Sequence, residues 1–409
     1  MNKTTILTGK LIQKLSRLHG GGSALPGLVI EKTDPGFLRE VLSLLPMGVA
    51  VVSGTNGKTT TSKMVTELLE KQGLKVFSNK TGSNFIRGVL SAVLEVISAD
   101  GTFDYDIAVL ELDEAHAVHF AEMIPISYSL MLNIQRDQLD RFCELDHTAA
   151  LLAKTTAASS RAAVLNREDP LVRALPSEHV VYYGLSDKLM RLFPSDEDLL
   201  TGASDAASGL TAAVVLEELH GHHAVYRIGE QLFPCDLSLD GIYNAFNAAG
   251  ALALTMQILP DADPASLVES LSGIHSAFGR SETIECRGTS VQLILVKNPS
   301  AFQLSLASFA QKDHSYMIVI NDHDADGRDV SWLWNVDFTA LPAVHTVSGT
   351  RAAEMALRLK YDEVPLGHAE EDLETAVSHF LTVQGPKQIF ATYTAMLEIR
   401  KLLTGRSLL

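Results

Sequence analysis

Short runs of apolar, β-branched residues alternate with helical patterns along the first half of the chain. The runs predicted to be buried strands cover residues 47–54, 75–79, 104–115, 126–134 and 161–169. After the first run, a helix is predicted from Lys58, with Leu68 and Leu69 on its apolar face and Gly73 as its stop. Strands that alternate with helices predict an α/β fold in which a parallel sheet carries helices on both faces.

The pattern weakens once and then resumes. Periodicity weakens over residues 186–240, where the stretch SDEDLLTGASDAASG (195–209) is polar and rich in Gly, Ser and Asp, which favours a loop or an inserted lobe. A helix follows at 241–259, and two further strands are expected near 290–298 and 315–322. The chain is too long for one core. We therefore predict three parts: an N-terminal helical segment at 1–46, an ATP-binding domain at 47–288 with a variable insertion near 186–240, and a smaller Rossmann-like α/β domain at 289–409.

The sequence GTNGKT at residues 54–59 lies between the first strand and the first helix of this pattern. A standard phosphate loop reads G-x-x-x-x-G-K-[ST] and would place its first glycine at position 52, where the chain has Val52. A glycine turn that opens a helix still directs backbone N–H groups and a positive dipole end at an anion. We expect Lys58 to add a charge for the β- and γ-phosphates and Thr59 to offer a hydroxyl to Mg²⁺.

Other polar residues follow neighbouring predicted strands. Glu111 ends one strand and Asn133 ends the next, with Asp137 close behind. Because ligands of such sheets bind beyond the carboxyl ends of the strands, these side chains are expected in one cleft with the loop. Glu111 suits a Mg²⁺ ligand. Asp113 and Glu114 fit a solvated acidic turn better.

Composition and charge exclude several classes of protein. The chain has 409 residues and a formal net charge of −16, which argues against a general nucleic-acid binder. No apolar run is long enough to span a membrane and no secretion signal is evident, so a cytoplasmic protein is expected. The first 20 residues carry Lys3, Lys10, Lys14 and Arg17 with no acid. They predict either a first helix packed on the fold or a weak, peripheral contact with the inner, anionic face of a membrane.

A set of motifs in fixed order resembles the Mur ligase family. GTNGKTTT is followed by the strand-end glutamate, then N-I-x-x-D-x-L-D, YNAFNA and FGRSE. Enzymes of this family activate a carboxylate with ATP as an acyl phosphate and join it to an amine. The stretches SNKTGSNFIRG, KNPSAFQ and ADGRDVSWLW are similar to the MurT branch of the family. That branch amidates the D-glutamate α-carboxylate of lipid II, a peptidoglycan precursor, with a GatD-like glutamine amidotransferase as partner subunit.

The resemblance implies ATP and Mg²⁺ as cofactors. For Mg²⁺ it implies Thr59 and Glu111, with Asp137 as a further candidate from the cleft. Asn133 of the same cleft is a candidate ATP-binding residue. The resemblance adds Gly54, Thr55, Asn56, Gly57, Lys58, Thr59, Thr60, Asn244, Asn247, Arg280, Lys297 and Asn298.

The chain also departs from its relatives. Gln138 stands where many Mur ligases have a histidine near a second metal, which leaves that metal open. Lys154 falls where several Mur ligases carry a carbamylated lysine, and a plain surface lysine is the alternative. MurT proteins often hold a zinc ribbon of four cysteines, but this chain has only Cys235 in that region, so no zinc is expected.

The nitrogen source is predicted to lie in another protein. None of the three cysteines, Cys143, Cys235 and Cys286, has the glycine-flanked context of a glutaminase nucleophile. The resemblance implies that the acidic segment 321–338 faces the glutaminase and that Asp329, Asn335 or Asp337 orients its catalytic histidine. Asn335 stands where many relatives have an aspartate.

Three alternatives to this interpretation stay open. In the first, the segment 321–338 is a solvated acidic loop with buried tryptophans and does not face a partner. The whole chain fits a stand-alone Mur-type or folylpolyglutamate-type amino-acid ligase, or a non-catalytic ATP-binding scaffold.

Overall fold

The computed structural model describes most of the chain in eight stretches. They are residues 3–18, 25–79, 85–135, 145–190, 209–275, 282–286, 288–311 and 313–405. The predicted α/β class is confirmed, since parallel strands alternate with helices in both sheets described below.

Among the described residues, three helices precede the first sheet: α1 (Lys3–Leu18), α2 (Leu25–Thr33) and α3 (Phe37–Leu42). Their apolar residues Ile6, Ile30 and Phe37 are fully buried in one core with the outer face of the first sheet. The N-terminal segment is therefore part of the folded unit.

The first sheet has nine strands in the order β2-β3-β1-β4-β5-β6-β7-β8-β9. They are β1 (Val49–Ser53), β2 (Val76–Ser78), β3 (Ile107–Glu111), β4 (Ile126–Met131), β5 (Ser159–Asn166), β6 (Val180–Leu185), β7 (Ala212–His220), β8 (His223–Ile228) and β9 (Gln231–Asp236). The strands from β2 to β7 pair in parallel, and β1 lies between β3 and β4. Chain order reverses across β1, so the loop after β1 opens into a crevice at the carboxyl edge.

In the described part of the chain, seven helices flank this sheet. They are α4 (Lys58–Lys71), α5 (Ile86–Val96), α6 (Glu114–Met123), α7 (Leu145–Ala157), α8 (Pro170–Arg173), α9 (Ile242–Ile258) and α10 (Pro264–Leu271). Helix α9 is buried almost all round, because it packs against α4 on one side and the sheet on the other. Its position brings the residues of the YNAFN motif beside the loop after β1.

Of the predicted insertion at 186–240, residues 191–208 lie outside the described residues, and the prediction of a loop or inserted lobe is wrong for 212–236, which form strands of the first sheet. Strand β7 pairs in parallel with β6, and β8 and β9 continue the same sheet as antiparallel strands. Ala224, Tyr226 and Ile228 alternate inward from β8 into the main core. Polar residues on the other face hid this period-two signal.

The second sheet has six strands in the order β10-β11-β15-β12-β13-β14. They are β10 (Glu282–Cys286), β11 (Thr289–Leu295), β12 (Ser315–Val319), β13 (Val344–Ser348), β14 (Leu366–Ala369) and β15 (Lys387–Ala391). Of the strands described in this sheet, only β10 pairs antiparallel, and it precedes residue 289, where the sequence predicted the boundary. The boundary is corrected accordingly, since β10 belongs to the second sheet.

Helices and one 3₁₀ helix cover the second sheet. They are α11 (Pro299–Phe309), the 3₁₀ helix Ser331–Asn335, α12 (Ala352–Tyr361), α13 (Leu373–Leu381) and α14 (Tyr393–Thr404). Within the described residues, no helix is both long and apolar enough to cross a membrane.

Candidate active site

The loop between β1 and α4 is shaped by two glycines in the left-handed region. Gly54 has a φ of 129° and Gly57, the residue before α4, has a φ of 88°. A Cβ atom on Gly54 would lie 2.9 Å from the carbonyl oxygen of Asn133, and one on Gly57 would lie 2.2 Å from Nδ2 of Asn247. Both positions therefore require glycine for conformation and for space.

Asn133 fixes the backbone of this loop. Its side-chain Oδ1 accepts a hydrogen bond from the N–H of Asn56 at 2.7 Å, and its Nδ2 donates to the carbonyl of Asn56 at 3.0 Å. Its own carbonyl accepts from the N–H of Thr55 at 2.9 Å. The structure thus brings Asn133 to the loop, as predicted, where it holds the loop backbone in place.

The Lys58 side chain folds back across the loop. Its Nζ donates to the carbonyl of Gly54 at 2.6 Å and lies 3.4 Å from Oε1 of Glu114, with both side chains largely buried. The prediction of a solvated turn at Glu114 was wrong. Helix α6 begins at Glu114, and the carboxylate of Glu114 points toward the loop. Asp113, which caps α6 through the N–H of Ala115, was the local signal for this helix start.

Thr59 and Glu111 meet at the start of α4. Thr59 Oγ1 donates to Oε1 of Glu111 at 2.8 Å, and Glu111 is only 4 % exposed. The backbone of Glu111 is held on both sides by the amide of Asn79, which accepts from its N–H and donates to its carbonyl, each at 2.9 Å. A hydroxyl and a carboxylate beside a phosphate loop form the donor set that Mg²⁺ takes with nucleotide phosphates.

The second sheet contributes directly to the loop. Lys297, which follows β11, donates from Nζ to the carbonyl of Thr55 at 3.0 Å. The amides of Asn298 and Asn56 pair reciprocally at 3.2 Å, and Asn298 Oδ1 also caps α11 through the N–H of Ala301. The structure thus places Lys297 and Asn298 beside the phosphate loop.

A cavity opens between the loop, α9 and α11. Its lining includes Asn56, Thr60, Gln135, Asn244, Asn247 and Lys297. Asn244 is 2 % exposed and donates from Nδ2 to the carbonyl of Asp240, but no described residue donates a hydrogen bond to its buried Oδ1. A buried acceptor without a donor is costly, so this atom fits a ligand that brings an N–H group. An adenine amino group has that chemistry.

Gln135 is a site residue that sequence reasoning missed. Its Oε1 accepts from Nδ2 of Asn56 at 2.6 Å, and its N–H donates to Oγ1 of Thr55 at 3.0 Å. No local motif marks this glutamine. The signal available in the sequence was its position two residues after Asn133, shortly beyond the end of β4.

Two residues singled out in the sequence lie away from the loop, and two others fall outside the described residues. Asp137 and Arg280 fall outside the described residues. Lys154 lies near the end of α7 with its side chain exposed. Cys235 is buried on β9, and burial, followed by the nearby Asp236 charge, raises the pKa of its thiol to about 11. A thiol with this pKa is a poor source of thiolate for a nucleophile or for zinc.

The acidic segment 321–338 presents an exposed surface. Asp329, Asn335 and Asp337 are all exposed. Asp329 accepts from the N–H of Ser331, and Asp337 accepts from the N–H and hydroxyl of Thr339, so the hydrogen bonds described for both carboxylates are local.

The two tryptophans of this segment differ. Trp332 is 7 % exposed and packs near Phe302 in the core of the second sheet, whereas Trp334 is 46 % exposed. Trp334 stacks edge-on against Tyr361, itself 69 % exposed, with ring centroids 5.1 Å apart. The alternative of a loop with buried tryptophans is therefore correct for Trp332 only.

Comparison with known proteins defines the class of this chain. Residues 52–255 match the Mur ligase middle domain, and residues 295–396 match the MurT ligase C-terminal domain. The MurF ligase of Thermotoga maritima, solved in complex with ADP, shares the fold with a TM-score of 0.67 at 19 % identity, over 92 % of this chain and 82 % of that one. The fold and the phosphate loop together define an ATP-dependent ligase of the Mur type.

Relatives of known name narrow the class further. The MurT subunit of the glutamine-hydrolysing lipid II isoglutaminyl synthase of Streptococcus pneumoniae (strain ATCC BAA-255 / R6) is 30 % identical, over 96 % of this chain and 95 % of that protein. The MurT subunit from Staphylococcus aureus (strain COL) is 28 % identical with the same coverage. The chain belongs to the MurT family.

Proposed function

We propose that this chain is the synthetase subunit of a lipid II isoglutaminyl synthase. It would use ATP to convert the α-carboxylate of D-glutamate in the lipid II stem peptide to the amide, giving D-isoglutamine. One observation carries the proposal: Lys297 and Asn298, in the part that matches the MurT C-terminal domain, contact the phosphate loop of the part that matches the Mur ligase middle domain. The candidate site thus combines residues from the part that matches the Mur ligase middle domain with residues from the part that matches the MurT C-terminal domain.

The residues present fit ATP and Mg²⁺. The Oδ1 of Asn244, to which no described residue donates, would accept from the adenine amino group, and Asn247 borders Gly57 at the entrance to the loop. The N-terminus of α4 and Lys58 would hold the phosphates. Thr59 and Glu111 would hold Mg²⁺, which when bound neutralises charge on the transferring phosphoryl group.

The proposed chemistry has two steps. An oxygen of the substrate carboxylate attacks the γ-phosphorus, the bond to the β,γ-bridging oxygen breaks, and ADP leaves. Ammonia then attacks the carbonyl carbon of the acyl phosphate and loses a proton. The bond between that carbon and the phosphate oxygen breaks, and inorganic phosphate leaves with the electron pair of this bond. In this scheme Lys58 stabilises the charge that develops on the phosphates, and Glu114 holds the lysine by its carboxylate.

We assign the supply of ammonia to a GatD-like glutamine amidotransferase. Support comes from the names of the relatives, which describe a glutamine-hydrolysing enzyme and one of its subunits. It also comes from the buried, high-pKa thiol of Cys235 and from the exposed carboxylates of the segment 321–338. A carboxylate of that segment would orient the catalytic histidine of the partner, as the acid of a catalytic triad does.

The test is amidation of lipid II by the purified chain, alone and with its glutaminase partner. We expect the chain alone to amidate with ammonium salts and the pair to amidate with glutamine, each with one ATP consumed per amide. Activity at the cytoplasmic face of the membrane is part of this proposal. ATP turnover stimulated by an amino acid acceptor, with no response to ammonia, would instead establish an amino-acid ligase, and ATP binding without turnover would establish a scaffold.

A further inference from the structure

Helix α1 turns its leucines away from the protein. Leu7 and Leu11 are 58 % and 59 % exposed, and Leu15 is 48 % exposed. Residues spaced by four lie in one row along a helix, so these three form a continuous apolar stripe on the outer side. A helix that only served the fold would place such a row inside.

The inner side of α1 is fixed by specific contacts. Ile6 is fully buried, and a Cβ atom on Gly9 would lie 2.6 Å from Cδ2 of Leu94. Thr5 donates to Asp34 at 2.7 Å, and Gln13 donates from Nε2 to the carbonyl of Ser91 at 3.2 Å. The helix therefore cannot rotate to bury its leucines without losing these contacts.

Lysines border the leucine stripe on one side. Lys3 and Lys14 are exposed and Lys10 is half-buried, and helical spacing places all three next to the stripe. The first acidic residue of the chain is Glu31, which pairs with Arg87 at 2.6 Å. The outer face of α1 thus carries lysines and no acid of its own on a chain whose net charge is −16, while Asp100 and Asp34 of other elements lie near Lys3 and Thr5.

We propose that the outer face of α1, formed by Leu7, Leu11 and Leu15 with the flanking lysines, docks on an anionic lipid bilayer. The leucines enter the boundary between headgroups and acyl chains while the lysines contact the phosphates. Charge favours this occupant over a second copy of the chain, because two such faces would bring like charges together. The inference does not rest on the proposed function, since neither nucleotide nor substrate takes part.

The experiment uses the full chain alone, without nucleotide, in co-sedimentation with vesicles. One set is phosphatidylcholine only and the other contains phosphatidylglycerol as anionic lipid. We expect binding to the anionic vesicles that weakens at raised salt, and little binding to the neutral ones. No binding to either set, or equal binding to both, would overturn the proposal.

Two double variants separate the apolar and the electrostatic contributions. Leu7→Ser with Leu11→Ser should lower the partition coefficient by at least about tenfold, and Lys3→Gln with Lys14→Gln by about fivefold for each lysine. The matched controls are Leu232→Ser, a leucine 57 % exposed on β9, and Lys401→Gln on α14, which should bind as the unaltered chain does.

Circular dichroism and thermal melting establish that the variants are folded. Because the altered side chains are exposed, the melting temperature should stay close to that of the unaltered chain. Unchanged vesicle binding in the leucine variant would contradict the proposal. So would a concentration-dependent dimer that this variant abolishes, since the stripe would then belong to a second copy.

Discussion

The phosphate-loop region and the acidic segment 321–338 differ in how their polar groups are satisfied. Around the loop, Asn56, Asn133 and Glu111 hydrogen-bond across several strands and are largely enclosed. In the acidic segment, the hydrogen bonds described for Asp329 and Asp337 are short-range, and both side chains face solvent. An enclosed network of this kind is preorganised for chemistry within one chain. Under the proposed function, the exposed carboxylates beside an exposed tryptophan would contact the partner subunit.

In the proposed enzyme, this difference separates two activities: ATP-dependent amidation at the loop region, and the supply of ammonia from glutamine at the acidic segment. The loop region would serve every turnover, whatever the source of nitrogen. The acidic segment would matter only when glutamine is the source. Variants in the two regions should therefore give different patterns when glutamine and free ammonia are compared.

The largest effect is expected at Lys58. Lys58→Ala should lower ATP turnover and amidation by about 10³-fold or more with both nitrogen sources, because the charge on the phosphates loses its counterion. Lys71→Ala, at the exposed end of the same helix, is the control and should be close to unaltered. Near-normal amidation by Lys58→Ala would show that the phosphate-loop assignment is wrong.

The stability of this variant is measured in parallel. Removing Lys58 leaves the largely buried Glu114 without that ion pair, which alone can destabilise a protein. The double variant Lys58→Ala with Glu114→Gln removes both charges. If it regains the melting temperature but not the turnover, the loss is one of chemistry.

A smaller effect is expected at Glu111. Glu111→Ala should lower turnover by about 100-fold and raise the Mg²⁺ concentration needed for half-maximal rate, with less effect on nucleotide binding. Glu122→Ala, an exposed carboxylate at the end of α6, is the control. An unchanged Mg²⁺ requirement would move the metal site away from Glu111, with Asp137 as the next candidate.

Asp329 and Asp337 test the other region. Asp329→Ala or Asp337→Ala should lower glutamine-dependent amidation by about 10- to 100-fold and leave ammonia-driven amidation intact, because only the partner's histidine loses its orienter. Asp324→Ala, in the same segment and paired on the surface with Arg328, is the control. Equal loss with both nitrogen sources would place these residues in the synthetase site.

The loop region was predictable from sequence where its residues are contiguous. Gly54, Lys58 and Thr59 lie in one motif whose strand and helix context is itself visible in the hydrophobic pattern. Glu114 and Gln135 were not predictable, because their contacts with Lys58 and Asn56 exist only after separate strands pair. Tertiary contacts of this kind leave no spacing in the sequence.

The fold was predicted best where strands are buried on both faces. Strands β1 and β3 read as continuous apolar runs, and both are fully buried. Strand β8 is buried on one face only, and β10 carries Glu282 and Glu285, so neither stands out from its surroundings. Both errors, the supposed insertion and the late boundary, come from such half-exposed strands.

The smallest effect is expected at Trp334, and it tests whether the acidic segment is an interface. Trp334→Ala should change the free energy of unfolding by no more than about 0.5 kcal/mol, since the ring is half-exposed and meets mainly Tyr361 and Arg358. It should nevertheless weaken the complex with the glutaminase several-fold, as loss of an exposed aromatic anchor does. Trp332→Ala, only two residues away but buried, should instead cost about 3–5 kcal/mol of stability. Calorimetric titration of the partner and urea unfolding measure the two quantities, and a Trp334 variant that binds the partner as tightly as the unaltered chain would remove this tryptophan from the interface.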